Sequence, residues 1–74
     1  MDIMITQINC GACEHAKQIL QHFSFILKII DVNIPEAKQY IESYNIKTLP
    51  FFITGNGHTC NNVRDYLKTK GVII

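Results

Sequence analysis

Two cysteines two residues apart, Cys10-Gly11-Ala12-Cys13, fall where a β-prone run gives way to helical spacing. Ile3-Met4-Ile5-Thr6-Gln7-Ile8 is nearly continuous in apolar character, which suits a strand covered on both faces. Asn9-Cys10-Gly11-Ala12 breaks it, and from Cys13 onward Ala16, Ile19, Leu20 and Phe23 recur at the spacing of one helix face. A thiol at such a junction meets unpaired backbone N–H groups and the positive end of the helix dipole. Both favour the thiolate, the reactive form of cysteine. Taken alone, the spacing fits two chemistries: a redox-active dithiol or a pair of metal ligands.

The rest of the chain narrows the architecture. Phe25 to Val32 is a second β-prone run, interrupted by Lys28 and Asp31. The segment between the two runs is long enough to cross over and lay them side by side in parallel. Pro35 suits the first turn of a second helix, in which Ala37, Tyr40, Ile41 and Tyr44 form the apolar stripe and Asn45 the end. Thr48-Leu49-Pro50 leads into the apolar run Phe51-Phe52-Ile53, and Gly55-Asn56-Gly57 predicts a hairpin to a short strand over His58 to Cys60. Asn62, followed at the capping-box spacing by Asp65, marks the start of a last helix that faces the core with Val63, Tyr66 and Leu67. Gly71 ends that helix and leaves Val72-Ile73-Ile74 as an apolar tail. The predicted order is β-α-β-α-β-β-α, an α/β domain over residues 1–74 with one four-stranded mixed sheet flanked by helices.

Composition removes several functional classes. The formal net charge of +1 gives no electrostatic reason to expect nucleic acid or an anionic membrane as a partner. No apolar run approaches the roughly 18 residues needed to span a bilayer. The opening Met1-Asp2-Ile3-Met4 lacks the basic region of a signal peptide. Three cysteines, of which only Cys10 and Cys13 lie close together, do not make a secreted disulfide framework. Working thiols in a reducing compartment fit better, so a cytoplasmic address is expected.

The early Cys10-Gly11-Ala12-Cys13, the later Thr48-Leu49-Pro50 and the element order together resemble the thioredoxin fold, and most closely the glutaredoxin family. The resemblance covers nearly the whole chain. It implies a monomeric thiol–disulfide oxidoreductase, an electron carrier of cell redox homeostasis with no tightly bound cofactor. Its substrates would be protein disulfides or glutathione-mixed disulfides, ribonucleotide reductase being a common client of small redoxins. The reductant would be glutathione or a reductase. Cys10 is then the nucleophile, and Cys13, one turn into the helix, resolves the mixed disulfide. Gly11 and Ala12, both small, stand where glutaredoxins usually have Pro-Tyr and thioredoxins Gly-Pro.

The resemblance assigns further residues. Pro50 corresponds to the family's cis-proline, and Leu49 before it would offer backbone groups to an extended substrate, with Thr48 flanking that edge. Asn61 and Asn62 stand where glutaredoxins hold the γ-glutamyl carboxylate of glutathione at the start of the last helix. His58-Thr59 replaces the usual Gly-Gly there, and no lysine precedes the cysteine motif, Gln7 being the nearest polar side chain. Cys60 is expected to be a packed thiol, His15, His22 and His58 surface residues, and Tyr40 and Tyr44 core.

The alternative from another functional class is a heavy-metal-associated domain, carrying copper or zinc on the same two cysteines. Such domains usually place methionine two residues before the first cysteine, where this chain has Ile8. Their β-α-β-β-α-β order also needs strands where Pro35 to Tyr44 and Asn62 to Lys70 read as helices. No metal is expected.

Overall fold

The computed structural model describes residues 1–72, so Ile73 and Ile74 of the apolar tail lie outside the described residues. Its elements follow the order β1 (Asp2–Thr6), α1 (Gly11–Leu20), β2 (Leu27–Asp31), α2 (Pro35–Tyr44), β3 (Phe51–Ile53), β4 (Thr59–Cys60) and α3 (Val63–Thr69). The strands form one mixed sheet in the order β2-β1-β3-β4. β1 runs parallel to β2, with Ile5 opposite Ile30, and antiparallel to β3, with Met4 opposite Phe52. β4 closes the hairpin with Cys60 opposite Phe52. The order excludes the heavy-metal-associated topology.

The two-residue period of a strand divides the core between the faces of the sheet. On one face Met4, Phe52 and Cys60 pack with Ala16 of α1 and Tyr66 of α3. On the other, Ile5 and Ile30 pack with Ala37 of α2, and half-buried Tyr40, Ile41, Leu49 and Phe51 surround them. β1 lies between two neighbours and under both layers, which is why its sequence is apolar almost throughout.

Local signals account for the helix ends. Pro35 opens α2, and Asn45 closes it with φ 53° and ψ 50°. At the end of α3, Gly71 has φ 80°, its N–H bonds Lys68 O at 3.1 Å, and the Val72 N–H bonds Leu67 O at 3.0 Å. That pairing is the Schellman arrangement, which needs a residue at ease with positive φ. At its start, Asn62 Oδ1 accepts the Asp65 N–H at 2.8 Å, and Asn62 Nδ2 donates back to Asp65 Oδ2 at 3.0 Å. Asn62→Ala is therefore expected to cost about 1 kcal/mol of folding stability, read as a lower urea midpoint at unchanged slope.

The structure moves several residues from their expected places. Ile8 lies in a turn after β1, not in the strand, and is 71% exposed. The chain must leave the sheet before Cys10 can start a helix on its face. Phe23 and Phe25 fall outside α1 and β2, where they stack on each other at 5.4 Å, and Phe25 meets Tyr66 edge-on. Tyr44 is exposed at the end of α2, its ring tilted against Phe51.

Asp2, which nothing in its sequence surroundings marks as special, is buried. Its carboxylate accepts hydrogen bonds from Tyr66 Oη at 2.6 Å and the Gly55 N–H at 2.8 Å, and pairs with Lys70 Nζ at 2.7 Å. It joins the first strand, the hairpin turn and the last helix at one end of the sheet.

Candidate active site

Cys10 is the N-cap of α1, in an extended conformation with φ −98° and ψ 109°. Its Sγ accepts the Cys13 N–H at 3.1 Å, and its carbonyl accepts the Glu14 N–H at 3.0 Å. The sulfur thus takes the place of the oxygen of a serine or aspartate cap and satisfies one of the unpaired donors of the first turn. A thiolate at this position bonds that N–H more strongly than a neutral sulfur does. Glu14 brings a negative charge into the same turn, where Lys17 pairs with it at 3.1 Å. The pairing offsets part of the repulsion that Glu14 would exert on a thiolate.

The two cysteines are joined as a disulfide with their Cα atoms 5.2 Å apart, within the ordinary range for a bridge. Their exposures differ: Cys10 is half-buried, Cys13 has no accessible surface, and Gly11 and Ala12 between them are exposed. A Cβ placed on Gly11 would meet nothing within 4 Å. An incoming sulfur can therefore approach Cys10, whereas Cys13 meets only a partner already attached to Cys10.

Sheet register gathers the other expected residues at the same end. Phe51 lies opposite Ile5, so Pro50 comes level with Thr6, beside the start of the loop that carries Cys10. Cys60 lies opposite Phe52, so Asn61 and Asn62 continue toward that end along the neighbouring edge. The Leu49–Pro50 peptide is cis, as the resemblance implied. Pro50 is buried, Leu49 half-buried against the α2 side of the core, and Thr48 exposed. Asn61 and Asn62 are exposed, but Asn62 is engaged as the α3 cap, and its Nδ2 also donates to Asn61 Oδ1 at 3.2 Å.

Cys60 stands apart from the disulfide as a free, buried thiol among Met4, Ala16, Phe52 and Tyr66. Burial pushes its pKa up, and the nearby Asp65 charge adds to the effect. It is a packed side chain, as expected, and holds its proton at neutral pH. His15, His22 and His58 are all exposed.

Sequence reasoning missed two features beside the cysteines. Thr6, the last residue of β1, is buried, and its hydroxyl has no hydrogen-bond partner. Asn9 has a positive φ of 65°. Only the second carried a signal: asparagine is one of the few residues that tolerate that region of backbone space.

Comparison with known proteins bears on the family and the fold. The family model described as Glutaredoxin matches residues 3–59. Among solved structures, the thioredoxin-like protein BC3987 aligns with a TM-score of 0.75 at 18% identity, over 97% of this chain and 100% of that one. The NrdH-redoxin of Escherichia coli is a glutaredoxin-like protein with a thioredoxin-like activity profile. It aligns with a TM-score of 0.73 at 20% identity, over 99% of this chain and 96% of that one. A thioredoxin from Thermus thermophilus aligns with a TM-score of 0.54 at 15% identity, over 92% of this chain and 68% of that one. At these identities the structures show a shared fold.

Proposed function

The chain belongs to the glutaredoxin family and is a thiol–disulfide oxidoreductase, and on that premise we propose that it reduces protein disulfides and draws its electrons from a dithiol reductase in preference to glutathione. The observation that carries the reductive role is the Cys10 sulfur at the N-cap of α1, accepting the Cys13 N–H beside two small exposed residues. The Cys10 thiolate attacks one sulfur of the substrate disulfide, forming a mixed disulfide and releasing the other substrate sulfur as a thiolate. Cys13 loses its proton and attacks Cys10 Sγ, closing the Cys10–Cys13 bridge and releasing the second substrate thiol. Two electrons pass to the substrate, and a donor dithiol returns them by the reverse exchange.

The choice of donor rests on what surrounds the pair. In the resemblance, glutathione places a carboxylate at the start of the last helix. Here Asn62 and Asp65 cap each other at that start, and Asp65 adds a negative charge that repels a second carboxylate. No lysine precedes the cysteine motif to hold the other end of the tripeptide. The clients we propose are proteins with accessible disulfides, ribonucleotide reductase among them. They would meet a monomer in the cytoplasm, where reducing conditions keep the pair as working thiols.

The test uses a substrate of two identical peptides joined by one intermolecular disulfide. Cys13→Ser is expected to hold one of those peptides on Cys10, seen as a mass increase that dithiothreitol reverses. With the wild type, turnover driven by NADPH and a thioredoxin reductase is expected to exceed turnover driven by glutathione and glutathione reductase about tenfold. Faster turnover in the glutathione arm overturns the choice of donor. No adduct on Cys10 overturns the mechanism.

A further inference from the structure

Among the described residues, positive φ angles fall at Asn9, Asn45, Gly57 and Gly71. Asn45 and Gly71 end helices and Gly57 turns a hairpin, the usual places for such a backbone. Asn9 does none of these. It stands immediately before Cys10, in the short link from the end of β1 to the cap of α1. We propose that Asn9 is a positioning residue for the redox pair: its left-handed backbone turns the chain out of β1 so that Cys10 enters the extended N-cap conformation with its sulfur within reach of the Cys13 N–H. The inference rests on the reading of Cys10 as the attacking thiolate.

The link has fixed ends and little between them to hold it. Upstream, the Thr6 carbonyl is bonded to the N–H of Val32, just past the end of β2, at 2.9 Å; downstream, the Cys10 carbonyl is bonded into α1. Gln7, Ile8 and Asn9 between them are all exposed. With no core packing to hold these three side chains, backbone preference sets the path. A residue that resists positive φ is then relieved most easily by moving the link, and the first group carried with it is Cys10. Asparagine accepts that backbone, glycine accepts it fully, and a β-branched residue resists it.

Moving Cys10 off the cap has a redox signature that a purely structural residue would lack. The Cys13 N–H stabilises a thiolate on Cys10 more than it stabilises the bridged sulfur, so its loss disfavours the reduced state. The measurement is the exchange of protein dithiol plus glutathione disulfide for protein disulfide plus two glutathiones, followed in redox buffers. Asn9→Val is expected to shift this equilibrium toward the protein disulfide by about threefold to tenfold, the effect of one hydrogen bond. It is also expected to slow attack on a small aromatic disulfide at neutral pH by a similar factor. Asn9→Gly is expected to stay within about twofold of wild type in both, and Asn9→Ala replaces Asn9→Val if the latter does not fold.

Wild-type equilibrium and rate in Asn9→Val, even with a lower melting temperature, would overturn the inference. Equal losses in the valine and glycine variants would also overturn it, because the asparagine side chain and not the backbone would then be responsible. If the wild type itself fails to attack the small disulfide, the reading of Cys10 falls and this inference falls with it, so the two failures are told apart.

Discussion

Cys10→Ser is expected to abolish disulfide reduction, to the level of a reaction mixture without protein, while leaving the fold in place. The effect is large because a serine hydroxyl at the same N-cap does not ionise at neutral pH and forms no bond to a disulfide sulfur. The helix gains nothing less from it: serine is among the best N-cap residues, and its oxygen can accept the Cys13 N–H that the sulfur accepts now. Loss of activity with a melting temperature unchanged or slightly raised relative to the reduced wild type is therefore the expected pair of readings. Cys13→Ser should differ in kind. Cys13 is fully buried and acts only after Cys10 has formed the mixed disulfide, so this variant should release the first substrate thiol in a single turnover and then stall. A stopped-flow burst of one thiol per protein in Cys13→Ser, with none in Cys10→Ser, would establish the order of attack. Equal bursts from the two variants would reverse or dissolve the assignment.

The arrangement around the cysteines was legible where local rules decide it. The switch from a nearly continuous apolar run to apolar residues at helical spacing placed Cys10 at the start of α1. Asn62 and Asp65, Pro35, Gly71 and the Gly55-Asn56-Gly57 turn each took the position that their backbone chemistry requires. Thr48, Leu49, Pro50, Asn61 and Asn62 came to the same end of the sheet as the cysteines because strand register carries them there. What the sequence hid depends on the third dimension. The burial of Asp2 follows from α3 returning across the sheet to bring Tyr66 and Lys70 to the first strand, a contact between residues 64 positions apart. The exposure of Ile8 follows from the reversal that a helix on the sheet face demands, which outweighs the β-preference of an isoleucine. Thr6 looked like one more strand residue, and its unpaired hydroxyl is visible only once both layers cover it.

Asp2→Ala is expected to produce a large loss of stability, the largest among the polar substitutions argued for this fold. The carboxylate satisfies a buried Tyr66 hydroxyl, a Gly55 N–H and the Lys70 ammonium together, and its removal leaves the buried hydroxyl without an acceptor, whereas the N–H of exposed Gly55 can turn to water. Lys70 is partly exposed and rests over the Phe25 ring at 5.7 Å, so water and the aromatic face recover part of its loss. An expected cost of about 3 kcal/mol, and a fall of roughly 12–24 °C in Tm, is consistent with breaking one partner of a mostly buried network. Against the roughly 4–11 kcal/mol typical of 74 residues, that is a large fraction. Tyr66→Phe separates packing from polarity: it keeps the ring stacked on Phe52 at 4.7 Å and should cost only about 1–2 kcal/mol. The network also has a pH signature. Burial raises the Asp2 pKa, but the bonds from Lys70, Tyr66 and the Gly55 N–H outweigh it and hold the group below the usual carboxylate value. A folded value below the unfolded one gives stability that is full above the unfolded value and disappears as pH falls through the folded one. The stability gap between wild type and Asp2→Ala should thus be widest near neutrality and shrink on acidification below about pH 4. A gap that stays constant to pH 2 would show that the carboxylate's charge contributes nothing. Because Asp2 lies at the end of the sheet away from Cys10, the folded fraction of Asp2→Ala should reduce disulfides at the wild-type rate.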